Sequence, residues 1–225
     1  MKILIILAHP EEKSFNAAMF NTAISILEKE GHEVKTTDLY QENYQPVSGK
    51  GNFTRLKNTD YFKQQDEEVF ALQQSTFMPD IISEQEKVEW CDMMIWQFPL
   101  YWFSVPAILK GWIDKVFTMG KFYDNGKIFG NGFSVGKKAM LSLTTGGPEK
   151  NYVDAKYGDI QSILFPIHRG ILEFLGFSVV EPEVVYSVER LSEAEREIVL
   201  GNWSKRLINI EEEISQRTTE QTGLK

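Results

Sequence analysis

Three short segments of the sequence carry side chains that could bind a ligand. They are residues 9–16, residues 99–104 and residues 144–152. The first contains one hydroxyl and one amide side chain, Ser14 and Asn16, and the third contains two threonines followed by two glycines. The second contains three consecutive aromatic rings. Hydroxyls, amides and backbone N–H groups hydrogen-bond to anions and polar ring edges, whereas aromatic rings stack on flat ligands. These residue types therefore suit a flat ligand that carries a phosphate.

The first segment offers an anion site at the start of a helix. Ser14 can cap a helix whose apolar positions recur at helical spacing, and Asn16 falls in its first turn. Free backbone N–H groups and the helix dipole favour a phosphate at such an end. Neither a GxGxxG motif nor a P-loop motif is present to indicate a nucleotide. A capped helix without a ligand is the alternative interpretation.

The second segment places Tyr101, Trp102 and Phe103 between two prolines, Pro99 and Pro106. Loop aromatics commonly pack back into the core, and an isolated pair would be interpreted in that way. Three consecutive rings cannot all point inward, and the prolines restrict the backbone around them. We therefore predict that the rings stand beside a flat ligand.

The third segment supplies hydroxyl groups and closely approachable backbone N–H groups, and two tyrosines follow it. The residues are Thr144, Thr145, Gly146, Gly147, Tyr152 and Tyr157. A Gly-Gly pair is also common in simple turns, so this pattern alone leaves both interpretations open.

Apolar periodicity predicts the elements that would position these segments. Strands are predicted at residues 3–8, 33–38, 92–98, 138–144 and 177–185, with helices between them and a last helix at residues 192–210. This alternation predicts a doubly wound α/β fold, with a parallel five-stranded sheet and helices on both faces. Residues 40–61 lack periodicity and are either a functional loop or disordered. We expect one domain over residues 1–213, followed by a polar tail, residues 214–225.

Composition excludes several classes of function. The 225-residue chain has a net charge of −8, which argues against nucleic acid and anionic membrane surfaces as partners. Its single cysteine, Cys91, cannot form an intrachain disulfide, and its three histidines lack zinc-finger spacing. The apolar run at the N-terminus is too short for a membrane span and lacks a signal-peptide cleavage site. We expect a cytoplasmic protein.

The predicted sheet brings the three segments together. They follow the first, third and fourth predicted strands, and ligands of doubly wound sheets bind outside the carboxyl ends of the strands. An anion site, aromatic rings and a set of backbone donors at one edge are what the mononucleotide half of a flavin requires. A flavin site is therefore our prediction from the residues.

The same residues resemble the NAD(P)H:quinone oxidoreductases, a flavodoxin-like family that includes the DT-diaphorase type. The resemblance rests on ordered matches: Ala8-His9-Pro10, Ser14-Phe15-Asn16, Asp38-Leu39-Tyr40, Gln97-Phe98-Pro99-Leu100, Trp102-Phe103, residues 105–112, Thr144-Thr145-Gly146-Gly147, Gly170-Ile171-Leu172 and Gly176-Phe177. It extends to about Arg206 and lacks the C-terminal extension of the longer members. The chain therefore resembles a short member.

The resemblance implies a homodimer that holds one FAD per subunit, with active sites built across the subunit interface. The implied activity is ping-pong transfer of a hydride, two electrons at once, from NAD(P)H through the flavin to a quinone or a similar electron-poor aromatic. The implied cofactor contacts are His9, Ser14, Phe15, Asn16, Pro99, Leu100, Tyr101, Trp102, Phe103, Thr144, Thr145, Gly146, Gly147, Tyr152 and Arg196. Trp102, Phe103 and Tyr123 are assigned to the substrate pocket, and Tyr152 and then Tyr157 to hydrogen-bond donation in catalysis.

The sequence departs from the family pattern at Tyr157, at Lys63 and at the places of a histidine pair. Lys63 lies near the place where relatives have a glutamine that reaches the flavin of the partner subunit, and a lysine there suits phosphate better. Tyr157 stands where the family has a histidine, and a phenol can donate a hydrogen bond but cannot become the cation that an imidazole can. Arg169 and Glu173 stand in the places of the paired histidines of metal-carrying members, so we predict no metal.

Three alternative functions stay open at this point. The nearest is an FMN-dependent reductase of azo or nitroaromatic compounds. The others are a flavodoxin-like one-electron carrier and a regulatory flavoprotein subunit of a transporter.

Overall fold

The structure is a computed structural model that describes residues 1–153 and 157–222, with side chains up to Gln216. Its strands are β1 (Lys2–Leu7), β2 (Glu33–Asp38), β3 (Met93–Pro99), β4 (Lys138–Thr144), β5 (Ser178–Val179) and β6 (Glu183–Val185). Its helices are α1 (Phe15–Lys29), α2 (Gln64–Gln74), α3 (Pro79–Trp90), α4 (Ala107–Val116), α5 (Lys150–Val153), α6 (Ile160–Ile167), α7 (Glu193–Ile208) and α8 (Ile210–Thr222).

The strands form one parallel sheet in the order β2-β1-β3-β4-β5, and β6 also pairs with β4. Every pairing is parallel, as the alternation of strands and helices predicts. The doubly wound α/β prediction is therefore confirmed. The order of the strands reverses between β1 and β3, which is the switch point at which this class of sheet binds its ligands.

The predicted fifth strand, residues 177–185, is in fact two short strands. Val179 pairs with Ala139 and Glu183 pairs with Ser142, so β5 and β6 use one residue more than β4 does over the same distance. Pro182 lies in this interval and has no N–H group with which to continue the ladder. The extra residue acts as a bulge that ends one strand and starts the next.

The sheet is covered on both faces, which explains why its central strands are continuous apolar runs. Along β1, Leu4 and Ile6 contribute to the core on one face, whereas Ile3 and Ile5 contribute to the core on the other. α1 and α7 cover the second face, where the Trp203 indole donates to the Met19 carbonyl at 3.1 Å. Both cores hold the strands in fixed register below the ligand-binding edge.

Residues 40–61, which the sequence left as either functional or disordered, pack against α4. A Cβ atom at Gly111 would lie 2.2 Å from the Pro46 carbonyl oxygen, so only glycine allows this close approach. The buried Lys115 ammonium also donates to the Gln45 carbonyl at 2.9 Å and lies over the Tyr44 ring. This segment is therefore an ordered connection.

The last predicted helix, residues 192–210, is observed as α7. Ser192 caps it, and Glu195 completes a capping box. Residues 214–222, which we predicted to be a polar tail, are helical and belong to α8, with Ile214 packed on the second core. The domain boundary at residue 213 stays a prediction. Among the described residues, no helix combines the length and apolarity that a bilayer span requires.

Candidate functional site

The three segments nominated from the sequence meet at the carboxyl ends of β1, β3 and β4. Backbone hydrogen bonds join them, from Ala8 N to Gln97 O at 2.9 Å and from Leu100 N to Thr144 O at 2.8 Å. They enclose a cavity of about 440 Å³, within the size range of small-molecule sites. The cavity is lined by His9, Ser14, Phe15, Asn16, Pro99, Leu100, Tyr101, Thr144, Thr145, Gly146, Val188, Glu189 and Arg196.

One end of the cavity is the start of α1. The Ser14 hydroxyl accepts a hydrogen bond from Ala17 N at 3.1 Å, and the Ser14 carbonyl accepts one from Ala18 N at 3.0 Å. Within the described ranges, the N–H groups of Phe15 and Asn16 donate to no other group. These two donors and the positive end of the helix dipole are available to an anion.

His9 lies beside this helix end as a neutral imidazole. Its Nδ1 accepts a hydrogen bond from Glu11 N at 3.0 Å, which places the ring hydrogen on Nε2. Partial burial lowers the pKa of His9 and outweighs the opposing influence of the Glu11 hydrogen bond and charge. The side chain therefore offers one N–H donor at neutral pH.

The turn after β4 forms another wall of the cavity. Gly146 lies on this wall, and a Cβ atom built there would meet no protein atom within 4 Å. The space in front of Gly146 is therefore the cavity itself. At Gly147, by contrast, a Cβ atom would lie 3.2 Å from Cε2 of Tyr152, so the absence of a side chain lets the tyrosine ring approach.

The two threonines of this turn differ in what they can offer a ligand. Thr145 donates its hydroxyl hydrogen to the Gly147 carbonyl at 2.8 Å and its N–H to the Val185 carbonyl at 2.9 Å. Thr144 accepts a hydrogen bond from Asn16 Nδ2 at 2.9 Å. Of the two hydroxyls, that of Thr144 is the better placed to donate into the cavity.

The aromatic loop after β3 is a tight turn in which Tyr101 and Ser104 exchange two backbone hydrogen bonds, at 3.0 and 2.9 Å. Trp102 and Phe103 adopt φ angles of 50° and 56°, in the left-handed region that bulky residues rarely occupy. Such strain costs about 1–3 kcal/mol per residue and is concentrated at functional sites. Trp102 is 97% exposed, so the turn directs its ring into solvent and not into the core.

The three aromatic residues of this loop occupy different positions. Tyr101 lines the cavity, and Phe103 packs against Tyr157 with ring centroids 5.9 Å apart. Trp102 does not line the cavity within this chain.

Tyr152 and Tyr157 stand behind the turn after β4. The Tyr152 ring is buried, with its centroid 5.6 Å from that of Tyr157 and 5.5 Å from that of Tyr186. Our sequence analysis did not name Tyr186. It directly follows β6, so the rule that ligands gather at the carboxyl ends of strands could have found it. Burial, followed by the charge of Glu149, raises its pKa.

Tyr123, which we assigned to the substrate pocket, is not brought to this cavity by its own chain. Its hydroxyl accepts a hydrogen bond from Gln65 Nε2 at 3.2 Å, and its ring packs on Phe174 at 5.9 Å. It lines a separate cavity of about 200 Å³ together with Phe117 and Ile171.

Arg196 closes the far end of the main cavity. Its guanidinium lies 5.5 Å from the Phe15 ring and donates to the carbonyls of Leu191 and Val188 at 3.1 and 2.9 Å. Val188 and Glu189, which also line this end, lie in a short helical turn after β6 that carries no sequence signal of ligand binding.

In the described part of the chain, no group of three or more histidine, cysteine, aspartate or glutamate side chains could hold a metal ion. Arg169 and Glu173 pair with each other, with a guanidinium-to-carboxylate distance of 2.7 Å.

Comparison with known proteins places the chain in a family. A family model described as flavodoxin-like fold matches residues 1–207. The chain is 44% identical over 214 residues to "NAD(P)H dehydrogenase [quinone] 1" of Cavia porcellus, with 94% of this chain and 78% of that protein covered. It is 42% identical over 211 residues to "Ribosyldihydronicotinamide dehydrogenase [quinone]" of Mus musculus, with coverage of 93% and 91%.

Solved structures give the same assignment. A candidate quinone reductase from Klebsiella pneumoniae superposes with a TM-score of 0.87 at 36% identity, covering 93% of this chain and 85% of that one. The chain therefore belongs to the flavodoxin-like family that contains the NAD(P)H dehydrogenases [quinone].

Proposed function

We propose that this chain is an NAD(P)H-dependent quinone oxidoreductase that holds FAD in the cavity at the ends of β1, β3 and β4. The observation that carries the proposal is the cavity itself. It joins the open start of α1, the open space at Gly146 and the aromatic loop at Leu100 and Tyr101 at one sheet edge. The names of the relatives support the quinone as the acceptor.

The residues present fit a flavin. Phosphate suits the free N–H groups of α1 and the Nε2–H of His9. The ring's polar edge suits the N–H groups at Gly146 and the Thr144 hydroxyl, and the glycine leaves room for close approach. A bound flavin would supply the redox chemistry, which consists of accepting a hydride from NAD(P)H and passing two electrons to the quinone.

The chain's own residues would orient the reactants and stabilise negative charge. Pro99, Leu100 and Tyr101 would flank the flat ring system. Trp102 and Phe103 would wall the pocket that nicotinamide and quinone occupy in turn, and the left-handed turn holds Trp102 outside the core for that role. Backbone N–H groups at Gly146 and Gly147 would donate to the polar edge, where preorganised donors are most effective.

Tyr152 is our candidate for the catalytic hydrogen-bond donor, and Tyr157 is the second candidate. Gly147 gives Tyr152 close access to the turn, since its hydroxyl lies 3.3 Å from the position of a Cβ atom at that glycine. The packing of Tyr152 between Tyr157 and Tyr186 fixes the ring. A phenol hydroxyl donates a hydrogen bond, so it can stabilise negative charge without a proton transfer.

We favour FAD over FMN because the cavity continues beyond the start of α1 to Val188, Glu189 and Arg196. This end would hold the adenylate half. We also propose a cytoplasmic homodimer with sites shared between subunits. Tyr123, which lies away from the cavity of its own chain, would then act in the site of the second subunit.

A visible spectrum of the purified protein, followed by release and chromatographic identification of the cofactor, tests the flavin assignment. We expect a yellow protein that releases FAD. Release of FMN would favour the azo- or nitroreductase alternative. A colourless protein that binds neither flavin when offered would refute the proposed function.

A further inference from the structure

Three buried polar side chains form a hydrogen-bonded chain beneath the floor of the cavity. Gln97 Nε2 donates to Asn16 Oδ1 at 2.9 Å, and Asn16 Nδ2 donates to Thr144 Oγ1 at 2.9 Å. The three residues come from β3, α1 and β4, and each is at most 2% exposed. Asn16 and Thr144 line the cavity, whereas Gln97 lies behind them and does not.

The direction of these hydrogen bonds follows from the surroundings of Gln97. Its Nε2 also lies 3.8 Å from Met19 Sδ, and a thioether sulfur can accept a hydrogen bond but cannot donate one. The amide nitrogen therefore belongs on this side of Gln97, which is how such orientations are assigned from a network. Asn16 must then turn its oxygen toward Gln97 and its nitrogen toward Thr144.

This arrangement leaves the Thr144 hydroxyl hydrogen without an acceptor in the part of the chain that the structure describes. The oxygen of Thr144 already accepts from Asn16, and among the described residues its hydroxyl donates no hydrogen bond. The neighbouring Thr145 hydroxyl, by contrast, donates to the Gly147 carbonyl. Thr144 is therefore the threonine of this pair whose hydrogen is available to a bound group.

We propose that Gln97 is a positioning residue for the ligand of the main cavity. Acting through Asn16, it fixes the Thr144 hydroxyl as a hydrogen-bond donor to an acceptor atom of the bound flavin. The inference rests on the proposed function, and it assigns a role to a side chain that does not touch the ligand.

Loss of the Gln97 amide would free Asn16 to turn its own amide over. Asn16 Oδ1 would then face Thr144 and accept the hydroxyl hydrogen, so the donor toward the cavity would be lost. No residue that lines the cavity would have been changed. The expected effect on ligand binding is the loss of one hydrogen bond. This loss is partial, because some molecules keep the original orientation of the Asn16 amide.

The test is a double-mutant cycle read by FAD affinity, measured as flavin fluorescence quenching on titration of the flavin-free protein. We expect Thr144→Val to weaken FAD binding about tenfold and Gln97→Met to weaken it about three- to tenfold, the worth of one hydrogen bond. The combined variant should bind no more weakly than Thr144→Val alone. Thr144→Ser keeps a hydroxyl and should bind FAD more tightly than Thr144→Val does.

Ser142→Ala is the matched control. Ser142 is the register partner of Gln97 on β4, and its hydroxyl is buried without a partner among the described residues. Its removal should leave FAD affinity unchanged. Melting temperatures of the flavin-free variants establish that each one folds.

Two outcomes would overturn the positioning role while leaving the flavin site intact. They are wild-type affinity in Gln97→Met and full additivity of the two substitutions in the combined variant. If Gln97→Met does not fold, the flavin-free wild type provides the test by NMR. The Gln97 side-chain NH₂ should be protected from exchange and should show a nuclear Overhauser effect to the Met19 methyl group. An unprotected NH₂ without this Overhauser effect would refute the network. A protected network in a protein that binds no flavin would instead refute the proposed function.

Discussion

Substitution of Gly146 tests whether the cavity is the ligand site without disturbing the fold. A Cβ atom there meets no protein atom within 4 Å, and the glycine does not have a positive φ angle. Gly146→Val should therefore change the free energy of unfolding of the flavin-free protein by no more than about 0.5 kcal/mol, as at a surface position. Its two methyl groups would nevertheless occupy the cavity.

The cost to ligand binding follows from two losses. Displacing the ring from the Gly146 N–H removes one hydrogen bond, worth about 0.5–1.5 kcal/mol, and crowding by the added methyl groups costs about 1–3 kcal/mol. Together these losses, about 1.5–4.5 kcal/mol, correspond to FAD binding that is roughly 10- to 2,000-fold weaker. The measurement is the fluorescence titration of flavin-free protein with FAD.

Gly201→Val in α7 is the matched control, because a Cβ atom at Gly201 also meets no protein atom within 4 Å, and this residue is exposed and does not line the cavity. It should bind FAD as the wild type does. The reasoning would be refuted if Gly146→Val bound FAD within threefold of the wild type. It would also be refuted if the flavin-free variant were unfolded, since the space at Gly146 would then belong to the protein and not to a ligand.

Four further substitutions test other parts of the account. Tyr152→Phe should slow reduction of the bound flavin by NADH about tenfold or more in stopped-flow experiments, and a decrease of less than about threefold would exclude Tyr152 as the catalytic donor. Trp102→Gly relieves the strain of a left-handed backbone at an exposed site, so we expect it to raise the free energy of unfolding by about 1 kcal/mol. The same substitution should lower kcat/KM for quinone. A loss of stability would contradict the strain argument. Burial lowers the pKa of His168 in the native state. Below about pH 6.5 the His168 side chain therefore binds a proton more readily in the unfolded chain than in the native state, so the free energy of unfolding falls on acidification. His168→Met should flatten this decline in urea unfolding between pH 7 and pH 5, and an unchanged slope would show that His168 does not cause it. Gly111→Ala places a methyl group against the Pro46 carbonyl and should destabilise the protein by more than about 2 kcal/mol in the same assay, whereas wild-type stability would show that the loop can move away.

The position of the cavity was predictable because it depends on the strands. The apolar runs that form β1, β3 and β4 are unambiguous in the sequence, and the residues after them must meet at one sheet edge. Identifying which residue types follow those strands was therefore enough to nominate most of the cavity wall, including Asn16 and Gly146.

What the sequence could not supply is the local geometry of individual side chains. Thr144 and Thr145 are equivalent in sequence, and only the backbone turn shows that the hydroxyl of Thr145 is bonded to Gly147. Left-handed φ angles are not expected at Trp102 and Phe103 from their residue types. The apolar residues on both sides of Pro182 predict one continuous fifth strand, whereas the missing N–H group of the proline accounts for the break that the structure shows.

The location of Tyr123 could not be predicted for a different reason. Residues 121–136 follow no periodic pattern, so the direction of their path past α4 depends on contacts such as that of Tyr123 with Phe174. A site shared between two chains would add a further constraint that no single sequence expresses.

The most direct test of the central claim is anaerobic addition of NADH to the purified, flavin-loaded protein, followed by a quinone such as menadione. The account predicts that one equivalent of NADH bleaches the flavin absorbance. One equivalent of quinone should then restore it, with no long-lived one-electron-reduced spectrum in either step. A flavin that NADH does not bleach, or that persists in a one-electron-reduced form when quinone is added, would contradict two-electron transfer at this site.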